Sequence, residues 1–403
     1  MAESRFPALT VRNYRLLTYG QAVSYIGTWA DRLAQDYLVL ELTGSATALG
    51  TVIALQNLPQ LLLGVWGGRL ADRIAKHRLL MATQSVMAIL ALFLAIMTFA
   101  GLVDVYCLYA VALLGGLALA VYQPARLAYL GELVGKERLN SAVGIDAVIF
   151  HTGRCVGPAV GGMLIGTMGV GVAFLGNAIS YAMVILALLL MDADSQGANL
   201  TRQRHGTFGQ AWQRVKRQPE ILATLALVGV IAVFGINFPI WLVTFSGQVF
   251  HLGAEYFGWF TALVAVGSIV GAFAAAFQRV SSIKIVVGTA FATGLLECVA
   301  SLMPSPWAFA ALLIPIGAFA ACFNTMSNIL IQSNVEPGSR GMISGLSMTI
   351  FMAGIVVGSP IAGFVSSHWS PRANLLLSGM FCAAMALSAG IWLLVRLRGS
   401  VAG

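Results

Sequence analysis

Apolar runs of 20 residues or more alternate with short polar tracts along the whole chain. A helix rising 1.5 Å per residue needs about 20 apolar residues to cross a bilayer's hydrocarbon core. The runs predict spans over 14–41, 46–67, 79–100, 103–122, 139–166 and 170–191. After a polar loop come 221–249, 255–277, 283–302, 307–331, 341–366 and 373–395. Several outer turns are very short, Gly44–Ala46 and the turn near Thr167–Gly169 among them. The expected fold is an all-α membrane protein of twelve transmembrane helices.

The long loop lies at the middle of the chain, and the two sides of it resemble each other. Gly153-x3-Gly157-Pro158-x2-Gly161 recurs as Gly354-x3-Gly358-Ser359-Pro360-x2-Gly363, its first two glycines displaced by 201 residues. At the same offset Gly144 meets Gly345 and Val134 meets Val335. In the first span Gln21, Ser24, Thr28, Asp31 and Gln35 follow a 3-4-3-4 spacing, the period of one helical face. Phe234, Asn237, Trp241, Thr244 and Gln248 do so in the seventh. These matches predict two six-helix pseudo-repeats: a bundle over 1–191, a linker loop over 192–219 and a second bundle over 220–403.

Composition changes this picture little, but charge placement adds an orientation. Only 9% of residues are charged against 59% hydrophobic, where a soluble domain carries about 25% charged. The net charge of +8 does not indicate nucleic acid, because the basic residues sit in tracts between spans. Alternate loops starting with the N-terminus hold 20 of the 23 Lys and Arg. The opposite side holds only Arg372, and Arg32 and Arg154 lie within spans. By the positive-inside rule both termini and the central loop are cytoplasmic. The five cysteines all fall in apolar runs, so neither a disulfide framework nor a metal site is expected, and no cofactor is implied. Residues 1–13 and the long run after them do not read as a cleavable signal peptide, so the first span is expected to remain.

A charge inside the membrane costs about 2.5–3.5 kcal/mol on insertion scales, so each one there is a functional candidate. Asp31, Arg32 and Asp36 lie in the first span, and Asp146, His151 and Arg154 in the fifth. Asp31 shares the polar stripe and is expected to carry a proton or recognise a cation, the alternative being a static pair with Arg32 or Arg154. Arg32 has Asp36 four residues on as a pairing partner. Asp146 is expected in a gate or ion pair; Arg154 either binds an anionic substrate group or neutralises an acid. His151 is expected to pack, and Glu297 to snorkel or pair locally. Candidate substrate-cavity residues are Gln21, Ser24, Thr28, Gln35, Asn57, Tyr122, Asn237, Trp241, Asn324 and Asn328.

Gly68-Arg-Leu-Ala-Asp72-Arg73-Ile-Ala-Lys76-His-Arg78, after the second span, resembles the signature loop of the major facilitator superfamily, with Ala75 in place of a second glycine. Gly153 to Gly162 (GRCVGPAVGG) resembles the motif of superfamily antiporters, which are mostly exporters. Trp29 to Ser45, and the stretch from Gln123-Pro124-Ala125-Arg126 to Gly157-Pro158-Ala159, are similar to the branch holding the enterobactin exporter and macrolide-efflux-type permeases. The resemblance implies a latch for Asp72, Gly68 and Arg73, and a leak-sealing bend for Gly153, Gly157, Pro158 and Gly161. It also implies a proton-coupled exporter of a drug, macrolide or siderophore-like compound. Its expected setting is a bacterial inner membrane, as a monomer with small molecules, protons and lipid as partners. The competing expectation is an uptake permease or lysophospholipid flippase of the same fold. No GxxxxGK[ST] phosphate loop and no catalytic constellation occurs, so neither an ATP-driven pump nor an enzyme is expected.

Overall fold

The computed structural model describes residues 7–191, 218–278, 282–335 and 340–401, except the side chains of Val65, Asp72, Lys136 and Ala276 and of 396–401. Most of the expected linker 192–219, the latch side chain of Asp72 and several of the counted loop cations fall outside the described residues.

The described residues form long helices and no strand. In chain order they are α1 (Arg12–Thr43), α2 (Ala46–Arg73), α3 (Lys76–Phe99), α4 (Val105–Gly135), α5 (Glu137–Met168) and α6 (Val170–Leu189). They continue as α7 (Pro219–Val249), α8 (Ala254–Ala276), α9 (Ile283–Ser301), α10 (Pro306–Asn334), α11 (Arg340–His368) and α12 (Pro371–Val401). Eleven of them are long and apolar enough to cross a membrane. With α1, too polar for that count, they make up the expected twelve.

The boundary that the hydropathy pattern misplaced is the end of the fourth helix. The segment 123–138 reads as a loop because it carries Pro124, Arg126, Lys136 and Arg138. In the structure α4 runs through it to Gly135, whose φ of 71° breaks the helix before α5 starts. That left-handed backbone is open to glycine at little cost, and it sets where the chain turns. A short tight turn at Gly44 is made in the same way, with φ 63° and its N–H donating to the Leu40 carbonyl.

The helices group into two compact units. One contains α1, α3–α6, α2 from Leu55 onward and α8 up to Ala262; the other contains α7, α9–α12, α2 up to Ala54 and the rest of α8. Within the first, α1 packs on α5 and α6, and α3 packs on α6. Within the second, α7 packs on α11 and α12, and α9 on α12. The second set of pairings is the first displaced by six helices. Lipid-facing helices gain little from hydrophobic contact, since lipid is as apolar as leucine, so small residues that bring backbones together carry the association. A Cβ on Gly153 would stand 2.6 Å from the Tyr25 Cβ, one on Gly157 2.6 Å from the Trp29 Cβ, and one on Gly161 2.9 Å from the Ala30 Cα. On α11, a Cβ on Gly354 or Gly358 would collide with Ala232 or Val233 of α7.

Candidate functional site

The polar stripe of α1 points into the first unit. Gln21, Ser24, Asp31, Gln35 and Asp36 are all buried, and Asp31 is 7% exposed. The Gln21 amide donates to the Tyr122 hydroxyl at 2.6 Å, and the Thr28 hydroxyl donates to that of Tyr181 at 3.2 Å. Gln21 and Tyr122 thus hold α1 against α4. Gln35 donates to one Asp31 oxygen at 2.8 Å and accepts from Gln56 at 3.1 Å. The other Asp31 oxygen is buried and makes no hydrogen bond among the described residues, with the Asn177 amide as its polar neighbour.

Asp31 lies on a cavity of about 80 Å³ within this unit. Thr28, Arg32, Gln35, Gln56, Asn177 and Tyr181 supply its polar wall, and α3 and α4 its apolar one. Drug-sized ligands occupy about 300–1,000 Å³, so this space suits water and a proton, not such a substrate. Asn177 and Tyr181 were not among the sequence candidates. Their signal was the spacing of Asn177, Ser180 and Tyr181 on one face of an otherwise apolar helix.

Arg32 does not pair with Asp36. Its guanidinium lies over the Trp29 ring, 5.3 Å from the centroid, and Arg154 of α5 lies over the same ring at 5.6 Å. Among the described residues neither arginine makes a hydrogen bond or ion pair. One buried Asp36 oxygen is likewise without a partner. Asp146 is in an ion pair with Arg126, a residue the sequence reading counted only as a loop charge. Tyr25 ties in here, its hydroxyl donating to Asp146 at 3.5 Å and its ring lying 5.5 Å under the Arg126 guanidinium. His151 is exposed, its ring edge-on to Phe150.

The remaining candidates are dispersed. Asn237 is buried in α7, donating to the Val233 carbonyl at 2.7 Å and accepting from the Ser359 hydroxyl at 3.1 Å. Trp241 is buried edge-on to Phe238, its indole N–H without a partner among the described residues. Asn57 is half-buried. Asn324 and Asn328 are exposed on α10 and bonded to each other, the Asn328 amide donating to the Asn324 side-chain oxygen at 3.1 Å. Glu297 neither snorkels nor pairs: it is 0% exposed on α9, with both oxygens unpartnered among the described residues. One turn before it, Gly294 of α9 packs closely on Gly379 of α12.

Around the signature loop, Gly68 has open space where a side chain would be, and Arg73 is exposed at the end of α2. Lys76 pairs with Glu132 at 2.7 Å, joining the start of α3 to α4. On α5, Gly162 faces Gly258 of α8, where a Cβ would stand 2.9 Å from the opposing Cα. In the other unit Gly363 of α11 similarly meets Ala46 of α2.

The family model for transmembrane secretion effectors matches residues 3–402. The chain belongs to that family. It is a major facilitator superfamily transporter. It is 24% identical to the staphyloferrin A transporter of Staphylococcus aureus, over 80% of this chain and 82% of that protein. Macrolide efflux protein A of Streptococcus pyogenes is also 24% identical, over 93% of this chain and 95% of its own. Among solved structures, an inward-facing bacterial homologue of the lysosomal transporter Spinster has the same fold. It superposes with a TM-score of 0.75 at 14% identity, covering 96% of this chain and 97% of that one.

Proposed function

We propose that this transporter is a secondary exporter in which a proton moving inward drives a small molecule out by alternating access, and that Asp31 carries the proton. The observation that supports this reading is the Asp31 carboxyl itself. It is buried, half satisfied by Gln35, and open on its other side to a polar space of water size. A desolvated carboxyl exchanges a proton readily, whereas a static ion pair would have brought Arg32 onto it. Export is favoured by the relatives, which include a macrolide efflux protein and the multidrug efflux pump Tap of Mycolicibacterium fortuitum. The remaining assignments in this reading are six-helix bundles over 1–191 and 220–403, both termini cytoplasmic in a bacterial inner membrane, and a monomeric working unit. Asp72 with Gly68 and Arg73 acts as the cytoplasmic latch, and the glycines of α5 seal against leak.

Everted vesicles with an acidic interior test this directly. Adding a substrate from a panel of macrolides and dyes should release protons, and Asp31→Asn should abolish that release at unchanged protein level. Retained proton-linked transport in Asp31→Asn would reject the assignment of the acid. Transport that ignores the gradient would instead favour an uptake permease or lipid flippase.

A further inference from the structure

We infer that Arg154 and Arg32, gathered on the Trp29 ring, form a recognition site for an oxyanion group, so that the transported molecule carries a carboxylate or a similar anion. The inference rests on the transporter reading above but does not depend on Asp31 as the coupling acid.

The glycines of α5 build the site. Because Gly153 and Gly157 have no side chain, the α5 backbone reaches Tyr25 and Trp29 of α1, and Arg154 between them is delivered onto the indole. Arg32, three residues after Trp29, reaches the same ring from its own helix. The two guanidinium carbons therefore lie within about 11 Å of each other. Each guanidinium has five N–H donors, and among the described residues none meets a carboxylate or carbonyl. Two like charges held together inside a membrane protein, without an acceptor, are costly unless something anionic visits them.

The neighbouring acids leave this need unmet. Asp31 and Asp36 share α1 with Arg32, whereas no acid makes an ion pair with Arg154 among the described residues. Arg154 is thus the uncompensated cation. Guanidinium binds carboxylate and phosphate through paired N–H donors, and the indole, with Phe150 edge-on to it at 6.0 Å, offers an apolar or aromatic surface to the rest of the molecule. Both arginines are only half-buried as residues.

The test measures thermal stabilisation of the purified full-length protein by 2-naphthoate, its methyl ester and 2-naphthylmethylamine. Naphthoate should stabilise the wild type, and the ester and amine should not. Its apparent Kd should weaken roughly tenfold or more in Arg154→Gln and only a few-fold in Arg154→Lys, since a charged hydrogen bond is lost in the first and kept in the second. Equal stabilisation by the ester or amine, no stabilisation by naphthoate up to its solubility limit, or unchanged affinity in Arg154→Gln would each overturn the proposal. In nanodiscs, naphthoate binding should be the same in phosphatidylglycerol and phosphatidylcholine. Its loss in phosphatidylglycerol alone would mark a lipid headgroup site and reject the substrate assignment. Proton-linked export of a compound without an anionic group that survives unchanged in Arg154→Gln would overturn the anion assignment while leaving the coupling reading standing. Loss of that export in Asp31→Asn would bear on the coupling acid alone.

Discussion

The pair α1–α5 and the pair α7–α11 are built alike at the backbone and differently at the side chains. In both, glycines one helical turn apart let the second helix rest directly on the first: Gly153 and Gly157 on Tyr25 and Trp29, Gly354 and Gly358 on Ala232 and Val233. In α1–α5 this closeness gathers charge, with Asp31, Arg32, Asp146 and Arg154 all within the two helices. In α7–α11 it gathers one neutral hydrogen bond, from Ser359 to Asn237. The helices differ in form as well. α1 is one continuous helix of 32 residues, whereas α7 has π-helical turns at Ile231–Gly235 and Phe245–Val249 on either side of Asn237. The repeat therefore preserves packing and leaves chemistry to one side. The charged residues gathered at these contacts lie in the first unit.

The strongest challenge to the shared packing is a bulky residue at either contact. Gly157→Leu and Gly358→Leu should each destabilise by about 3 kcal/mol, enough to lower the yield of folded protein markedly. Equal losses in detergent melting would show that the two contacts are equivalent; a tolerant Gly358→Leu would break the comparison. Next comes the charge asymmetry. Arg126→Leu leaves Asp146 unpaired and should cost about 2 kcal/mol, below the 3–5 kcal/mol of a fully enclosed pair, because Asp146 is not fully buried. The double variant with Asp146→Leu should recover most of that loss. A double variant no more stable than Arg126→Leu would show that the ion pair is not what holds α4 to α5. The smallest effect is expected in the neutral pair: Asn237→Ala should cost about 1 kcal/mol and leave proton-linked transport intact. Transport lost in that variant would mean that α7 takes part in the chemistry.

The helices were legible because a bilayer fixes their length and composition, and the repeat because glycines at a close contact cannot drift. Partners were harder to read. Arg126 reads as a loop charge because Pro124 and three cations mark the end of the fourth span at 122; the continuation of α4 to Gly135 places it beside Asp146. The i, i+4 spacing brings Arg32 and Asp36 to one face, but it cannot weigh an indole three residues back against a carboxylate four residues on. The cavity beside Asp31 draws its wall from α2, α3, α4 and α6, a convergence that no single helix displays. Glu297 reads as a residue that snorkels or pairs because the sequence does not display how closely α9 packs on α12, at Gly294 and Gly379.

The π-helical turns of α7 also bear on which insertions and deletions the family can accept. A π turn holds one residue more than an α turn, and an α-helix rotates about 100° per residue. Removing one residue from Ile231–Gly235 would leave α7 a regular ladder through that stretch and keep Asn237 close to its present direction, because five π residues turn about as far as four α residues. α1 has no such slack: a deletion before Asp31 would rotate Asp31, Arg32, Gln35 and Asp36 together and carry the whole charged face away from the cavity and from Arg154. Length variation should therefore accumulate in α7, while α1 stays fixed in register.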